Sequence, residues 1–196
     1  MNQLLFAVGV FSVIFSSCAG NQVKTSQEPA APVFERKIAE DVPSFVSDAV
    51  KNAPQDALVG VGAAKMAMVS MSQSIAVTRA QADIARQVSQ IFIQMVHNYS
   101  VTSESDPETV QLFQERVTVT ISKAQLSGVS ILARDFDDDG NFWVVAIMNR
   151  EPVSDTISNA RNQAKDDFPQ MSSFDIAAML PDVIANAVKE EITVAR

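Results

Sequence analysis

Residues 72–99 read SQSIAVTRAQADIARQVSQIFIQMVHNY, and this stretch decides the fold. Ile75, Thr78, Ala82, Ala85, Val88, Phe92, Met95 and Tyr99 recur every three or four positions, the period of one helical face. Val77, Ile84 and Ile91 widen that face. Arg79, Asp83, Arg86, Gln90 and Gln94 make an opposing polar stripe, read as a solvated surface, and neither Gly nor Pro interrupts the run. The spacing predicts one long amphipathic helix. Its polar stripe is not strongly basic, so the apolar face is expected to pack on a core and not on a membrane.

Upstream, Leu58-Val59-Gly60-Val61-Gly62-Ala63 is short, apolar and β-branched, which reads as a strand with glycines at close approaches. A dinucleotide loop of the form G-x-G-x-x-G would need glycine at position 65, which is Lys65. Downstream, Asp106-Pro107-Glu108 reads as a helix start, with Asp as cap and Pro in the first turn. The following Val117-Thr118-Val119-Thr120-Ile121 also alternates like a strand, but the cap and the length favour helix. Gly128–Arg134 and Phe142–Met148 flank the acidic turn Asp137-Asp138-Asp139-Gly140-Asn141, a hairpin signal. The return strand is apolar on both faces, so a covering layer is expected on each side. Thr156–Lys165 is a further helix candidate, and Phe174–Leu180 and Pro181–Thr193 a helix pair opened in its second member by Pro181. The fold class expected is α+β: a small, mostly antiparallel three-stranded sheet packed against a long amphipathic helix, with additional C-terminal helices.

At the N-terminus, Leu4–Phe15 is almost wholly apolar but far short of the roughly 20 residues of a spanning helix. It has the length of a signal-peptide h-region. Phe15-Ser16-Ser17-Cys18 follows directly: a large apolar residue, two small ones, then a cysteine. The pattern is that of a lipobox, with Phe15 where leucine is usual. Residues 1–17 are therefore expected to be a lipoprotein signal peptide and Cys18 the lipidated residue. Residues 18–41 carry Gln27-Glu28-Pro29-Ala30-Ala31-Pro32 and no apolar period, and are expected to form a flexible tether holding the domain about 25 Å from the lipid.

The chain has 196 residues, 47% of them hydrophobic, and a net charge of −8. That content supports a core. The charge disfavours nucleic acid, and anionic headgroups would give no attraction, leaving the N-terminal lipid as the membrane attachment. One cysteine and one histidine exclude an internal disulfide and a Cys/His zinc site.

A second layer of signal lies in the order Pro43-Ser44-Phe45-Val46, Gly60-Val61-Gly62-Ala63, Ala76 to Ala85 with Arg79-Ala80-Gln81-Ala82-Asp83-Ile84, Leu126-Ser127-Gly128-Val129-Ser130-Ile131 and Asp139-Gly140-Asn141-Phe142-Trp143-Val144-Val145. Over roughly residues 42–150 this resembles the bacterial LPP-twenty lipoprotein family, with Phe45 where that family often has Trp. The resemblance implies an α/β domain over residues 42–150, a place in the cell envelope at the outer membrane, and no catalytic residues; the helical C-terminal extension over 151–196 departs from the family. Ala19 after the cysteine is consistent with that membrane.

Among possible chemical sites, Asp135-x-Asp137-x-Asp139-Gly140 copies the opening of a calcium loop, whose alternate oxygens suit Ca²⁺. The twelfth position is Ala146 instead of Glu, so these three aspartates are weak metal candidates and an acidic hairpin tip is the plainer reading. His97 is the sole imidazole and no G-x-S-x-G occurs, which disfavours a hydrolase. That leaves a carboxylate-only site as the enzymatic alternative. Adjacent Asp166-Asp167 and Glu190-Glu191 read as surface charge. Met66, Met68 and Met71 read as packing and not as a copper site, because their spacing does not hold one helical face, though Met also serves adaptable interfaces. No basic or aromatic stripe supports peptidoglycan binding. No cofactor is expected. The function expected is a lipid-anchored, non-catalytic envelope protein that binds other envelope components; the alternative is a metal- or small-ligand-binding envelope lipoprotein.

Overall fold

The structure, a computed structural model, describes residues 42–188, with side chains to 184. The expected α+β class is found. Helix α1 (Ser44–Lys51) leads to strand β1 (Leu58–Ala64), the long α2 (Val69–Thr102), α3 (Pro107–Lys123), the hairpin β2 (Val129–Phe136) and β3 (Phe142–Met148), α4 (Arg150–Ala164), a 3₁₀ turn at Pro169–Met171, and α5 (Ile176–Val188). The three strands are antiparallel in the order β1-β3-β2. The apolar β3 is therefore central, and both its faces are covered.

Two apolar clusters sandwich the sheet. On one side Leu58, Ala64, Phe142, Val144, Ala146 and Met148 pack with the long helix and its neighbours. On the other, Val59, Trp143 and Val145 pack against Val46 and Val50 of α1. Sequence reading did not foresee α1. It has only eight residues, and its buried pair, Val46 and Val50 one turn apart, is too short a pattern to stand out.

Helix α2 meets β1 at very short range, and the two glycines allow it. A Cβ at Gly60 would overlap the carbonyl oxygen of Ala80 and come within 2.7 Å of Ile84 Cγ1. A Cβ at Gly62 would overlap the carbonyl oxygen of Ala76 and lie 2.6 Å from the Ala80 nitrogen. The pair is thus a seat for helix backbone.

This contact also corrects the expected buried face. In the first half of α2 the buried residues are Ser72, Ala76, Ala80 and Ile84, whereas Thr78 and Ala82 are exposed and Ile75 and Ala85 half-buried. Steps of four trace a ridge inclined to the helix axis. The seat selects small residues along that ridge, so bulk and hydrophobicity point to the wrong side. Beyond Val88 the expected face holds, with Phe92 and Met95 fully buried; Gln94, placed on the polar stripe, is buried too.

Helix α3 forms as expected: the Thr109 N–H donates to Asp106 Oδ2 at 2.9 Å and Pro107 opens the first turn. Its Val110, Phe113, Val117 and Ile121 are buried. Helix α4 begins at Arg150, ahead of the expected Thr156, and buries Val153, Ile157, Ala160 and Ala164. The expected helix pair around Pro181 is one helix, with Pro181 inside α5. Asp175 caps that helix by accepting from the N–H groups of Ala177 and Ala178 at 3.0 and 3.2 Å. Pro181 then falls in the second turn, where the missing N–H costs one helical hydrogen bond. Residues from Val153 to Ile184 share a cluster with α2 and α3, so the C-terminal segment is part of the core. Met66 and Met68, ahead of α2, and Met71 in its first turn are exposed and do not pack as expected.

Gly62→Ala should lower the unfolding free energy by about 2–3 kcal/mol or more, because the overlap is with backbone that cannot rotate away. Gly140→Ala, whose Cβ would meet only Lys65 Cε at 3.8 Å, should cost only about 1 kcal/mol, for its φ of +79°. Urea midpoints of the two variants check the ranking; equal losses would remove the seat argument.

Candidate functional site

A polar recess opens at the end of β1. It is a groove of about 840 Å³ lined by Val61–Lys65 of the strand side, by Arg79, Ala82, Asp83 and Arg86 of α2, and by Asp137, Asp139, Asn141 and Trp143 of the hairpin.

Its helical wall is built by register. β1 is an edge strand, so its outward N–H and C=O groups lack a strand partner. Side chains of α2 take that place. Arg79 donates to the Ala63 carbonyl, Asp83 Oδ2 accepts from Val61 N–H at 3.3 Å, and Gln87 Nε2 donates to the Val59 carbonyl at 2.7 Å. Four residues of helix advance about 6 Å and two residues of strand about 6.7 Å, so the two ladders stay in step. Donor and acceptor types alternate correctly along both. The polar stripe read as a solvated face is in this stretch a substitute strand. Arg86 adds an ion pair with Asp83.

The opposite wall is the acidic turn. Gly140 N–H donates to the Asp137 carbonyl at 3.0 Å, and Gly140 holds a φ of +79°. Asp137 organises the turn. Its Oδ1 accepts from Asn141 N–H at 2.7 Å, and its Oδ2 accepts from Asn141 Nδ2 at 2.7 Å and from the Trp143 indole at 2.8 Å. Burial alone would raise its pKa, but the bonds from Trp143, from both donors of Asn141 and from the Asp139 N–H outweigh burial and hold the carboxyl below its ordinary value.

The three aspartates of the calcium-like spacing do not form a cage. Asp135 lies on β2, where its Oδ1 accepts from the Phe136 N–H at 2.8 Å. Asp137 is committed to Asn141 and Trp143, and Asp139 offers its carbonyl to Lys65 Nζ. Among the described residues no three His, Cys, Asp or Glu side chains converge on a point. The chain enters strand β3 at Phe142, as the hairpin reading expects, instead of continuing as a calcium loop would. His97 is exposed on α2 and lines no part of the groove. Asp166 and Asp167 are exposed after α4. Cys18, the tether and Glu190-Glu191 lie outside the described residues.

A second, shallower recess of about 820 Å³ lies at the α2–α3 turn. There the Tyr99 hydroxyl meets Ser105 at 3.3 Å and Ser173 at 2.8 Å, and these bonds lower its pKa. They tie the segment before α5 to α2, a role in holding the fold. Sequence reading singled out neither Lys65 with Arg79 nor Trp143 as parts of one site. The signal available was the four-residue spacing of Arg79, Asp83 and Gln87, which matches strand register as well as a helical face.

Comparison with protein-family models, curated proteins and solved structures finds no match. Among the described residues, no helix is long and apolar enough to cross a membrane.

The depressed Asp137 pKa gives stability that is present above the ordinary carboxylate pKa and lost as pH falls through the lower, folded-state value. The urea midpoint should therefore fall below about pH 4 more steeply in the native chain than in Asp137→Asn. Parallel pH profiles for the two would show that the carboxylate contributes nothing.

Proposed function

We propose that this chain is a lipid-anchored cell-envelope protein, held at the outer membrane through Cys18, whose folded domain acts as a non-catalytic binding module for another envelope component. The observation that carries the anchoring is Phe15-Ser16-Ser17-Cys18 placed at the end of an apolar run of h-region length. The likeness to LPP-twenty lipoproteins supports the same location. With a net charge of −8, electrostatic adsorption to anionic lipid is a poor substitute for the lipid.

The binding role is supported by how the groove uses its polar groups. Asp83 and Asp137 each brace backbone or indole donors. The one imidazole lies elsewhere. Such a wall suits recognition, because its side chains are preorganised by bonds that a ligand need not break. The alternative of ligand binding is favoured by the same groove. Metal binding has less support, since both oxygens of Asp137 already accept strong donors.

The full-length chain should remain with membranes after a high-salt wash, and Cys18→Ala should move to the soluble fraction. Retention of the variant would remove the lipid from the account. In-cell crosslinking of a C-terminally tagged chain should capture one dominant, reproducible envelope partner, and capture of abundant bystanders alone would count against the module.

A further inference from the structure

Three methionines stand together where the chain passes from β1 into α2, and the core uses none of them. Met66, Met68 and Met71 are 43, 59 and 45% exposed, while Met95, Met148 and Met171 are buried and Met179 is half-buried. Their spacing does not belong to a helical face, because Met66 and Met68 precede the helix, Met68 as its extended N-cap, and only Met71 lies in the first turn. The backbone gathers around one buried serine instead. Ser72 Oγ accepts from the Met66 N–H at 2.9 Å and donates to the Met68 carbonyl at 3.4 Å. That carbonyl also accepts from the N–H groups of Met71 and Ser72, each at 3.1 Å. Two peptide links keep the Met66 and Met68 Cα atoms within about 7 Å. The closure from Met68 to Met71 brings that pair about as near. A methionine side chain is unbranched and turns about three bonds, so thioethers anchored this closely can reach a shared point.

The chemistry of these donors is narrow. Thioether sulfur is soft and uncharged, and it suits Cu(I), whereas carboxylate and carbonyl oxygens suit hard cations. Between the three stand Ala67, Val69 and Ser70, with no carboxylate and no imidazole. The neighbouring Lys65 ammonium is held on the Asp139 carbonyl. Neutral ligands leave the charge of a bound ion uncompensated, and the N-terminus of α2 adds positive partial charge. Both favour a singly charged ion over a divalent one. We propose that Met66, Met68 and Met71 form a surface site for Cu(I), three thioether sulfurs in one coordination shell. The site shares no lining residue with the polar groove, so the bonds that occupy Asp137 do not bear on it. It also stands independently of the binding-module reading.

Methionine methyl groups labelled with ¹³C report each sulfur separately by NMR. The full-length chain carrying Cys18→Ala, which removes the only thiol, would be titrated in detergent and without oxygen. The probes are Cu(I), supplied as its acetonitrile complex, and Zn²⁺ in parallel. Three methyl signals should move together and saturate at one Cu(I) per chain. Met66→Leu, Met68→Leu and Met71→Leu should each delete one of those three signals. The signals of the buried Met95, Met148 and Met171 should stay in place, and Zn²⁺ should move none. Each Leu variant should weaken Cu(I) by about tenfold or more, the least that even outer partners of a metal site contribute. Its thermal midpoint should not change, because the swap conserves volume at an exposed position. No saturable shift, movement of fewer than three of these signals, an equal response to Zn²⁺, or native affinity in any single Leu variant would each overturn the proposal. The shifts of the chain with all three methionines decide the matter even where a Leu variant fails to fold. An unmoved methyl spectrum together with a captured envelope partner would reject the metal site and leave the binding module standing.

Discussion

The backbone of α2 lies directly on β1 at Gly60 and Gly62, and the architecture depends on that approach. With any side chain at either glycine the helix would stand off from the strand, and the polar side chains on its flank would lose their register with the strand's backbone groups. Asp83 could then no longer accept from Val61, nor Arg79 and Gln87 donate to Ala63 and Val59. The seat therefore has two effects. It replaces side-chain interdigitation with close backbone packing against Ala76 and Ala80, and it closes the edge of the sheet. Ile84, Leu58 and Ala64 complete the dry contact around it.

A helix of 34 residues is about 51 Å long, while a seven-residue strand covers about 23 Å. More than half of α2 thus extends past β1 and must bury its apolar face elsewhere. The change in residue type along the helix matches that need. Small residues face the strand, and from Val88 onward large ones face α3 and α5. Phe92 meets Phe113 and Phe174 edge to face at 5.8 and 5.9 Å, and Phe174 meets Tyr99 at 5.4 Å. Such contacts add about 0.5–1.5 kcal/mol each beyond area burial. The C-terminal helices accordingly have a structural reason to exist: without them this aromatic half of α2 would face water.

What could be read from the sequence follows from how local each cause is. The Asp106-Pro107 cap, the Asp139-Gly140 turn and the uninterrupted helix of α2 are set by neighbours in sequence, and the structure has them where expected. The rotated face of α2 is not local. It depends on glycines at 60 and 62 preferring Ala76 and Ala80 over the larger Ile75 and Val77, which no period within the helix records. Pro181 was misplaced for a related reason. A proline suits a helix start, but Asp175 supplies the cap six residues earlier. The groove was least legible, since Lys65, Arg79 and Trp143 come from three elements, and each alone reads as surface charge or core.

The treatment of the two sheet edges constrains how this domain can bind anything. Strand addition needs a row of open N–H and C=O groups. On β1 the Val59 and Ala63 carbonyls and the Val61 N–H of that row are engaged by Gln87, Arg79 and Asp83. On β2, Ile131, Leu132 and Phe136 are exposed, which would invite pairing, but the register shifts between Ile131 and Ala133 and leaves Leu132 as the extra residue. A bulge there bends the strand and breaks the ladder a partner would need. With one edge capped and the other interrupted, recognition falls to side chains. The recess where charged side chains of both signs meet is the end of β1, where the substitute ladder of α2 gives way to the acidic turn. The edge-closing device and the candidate site are therefore one construction, because Arg79 both ends the ladder and begins the groove.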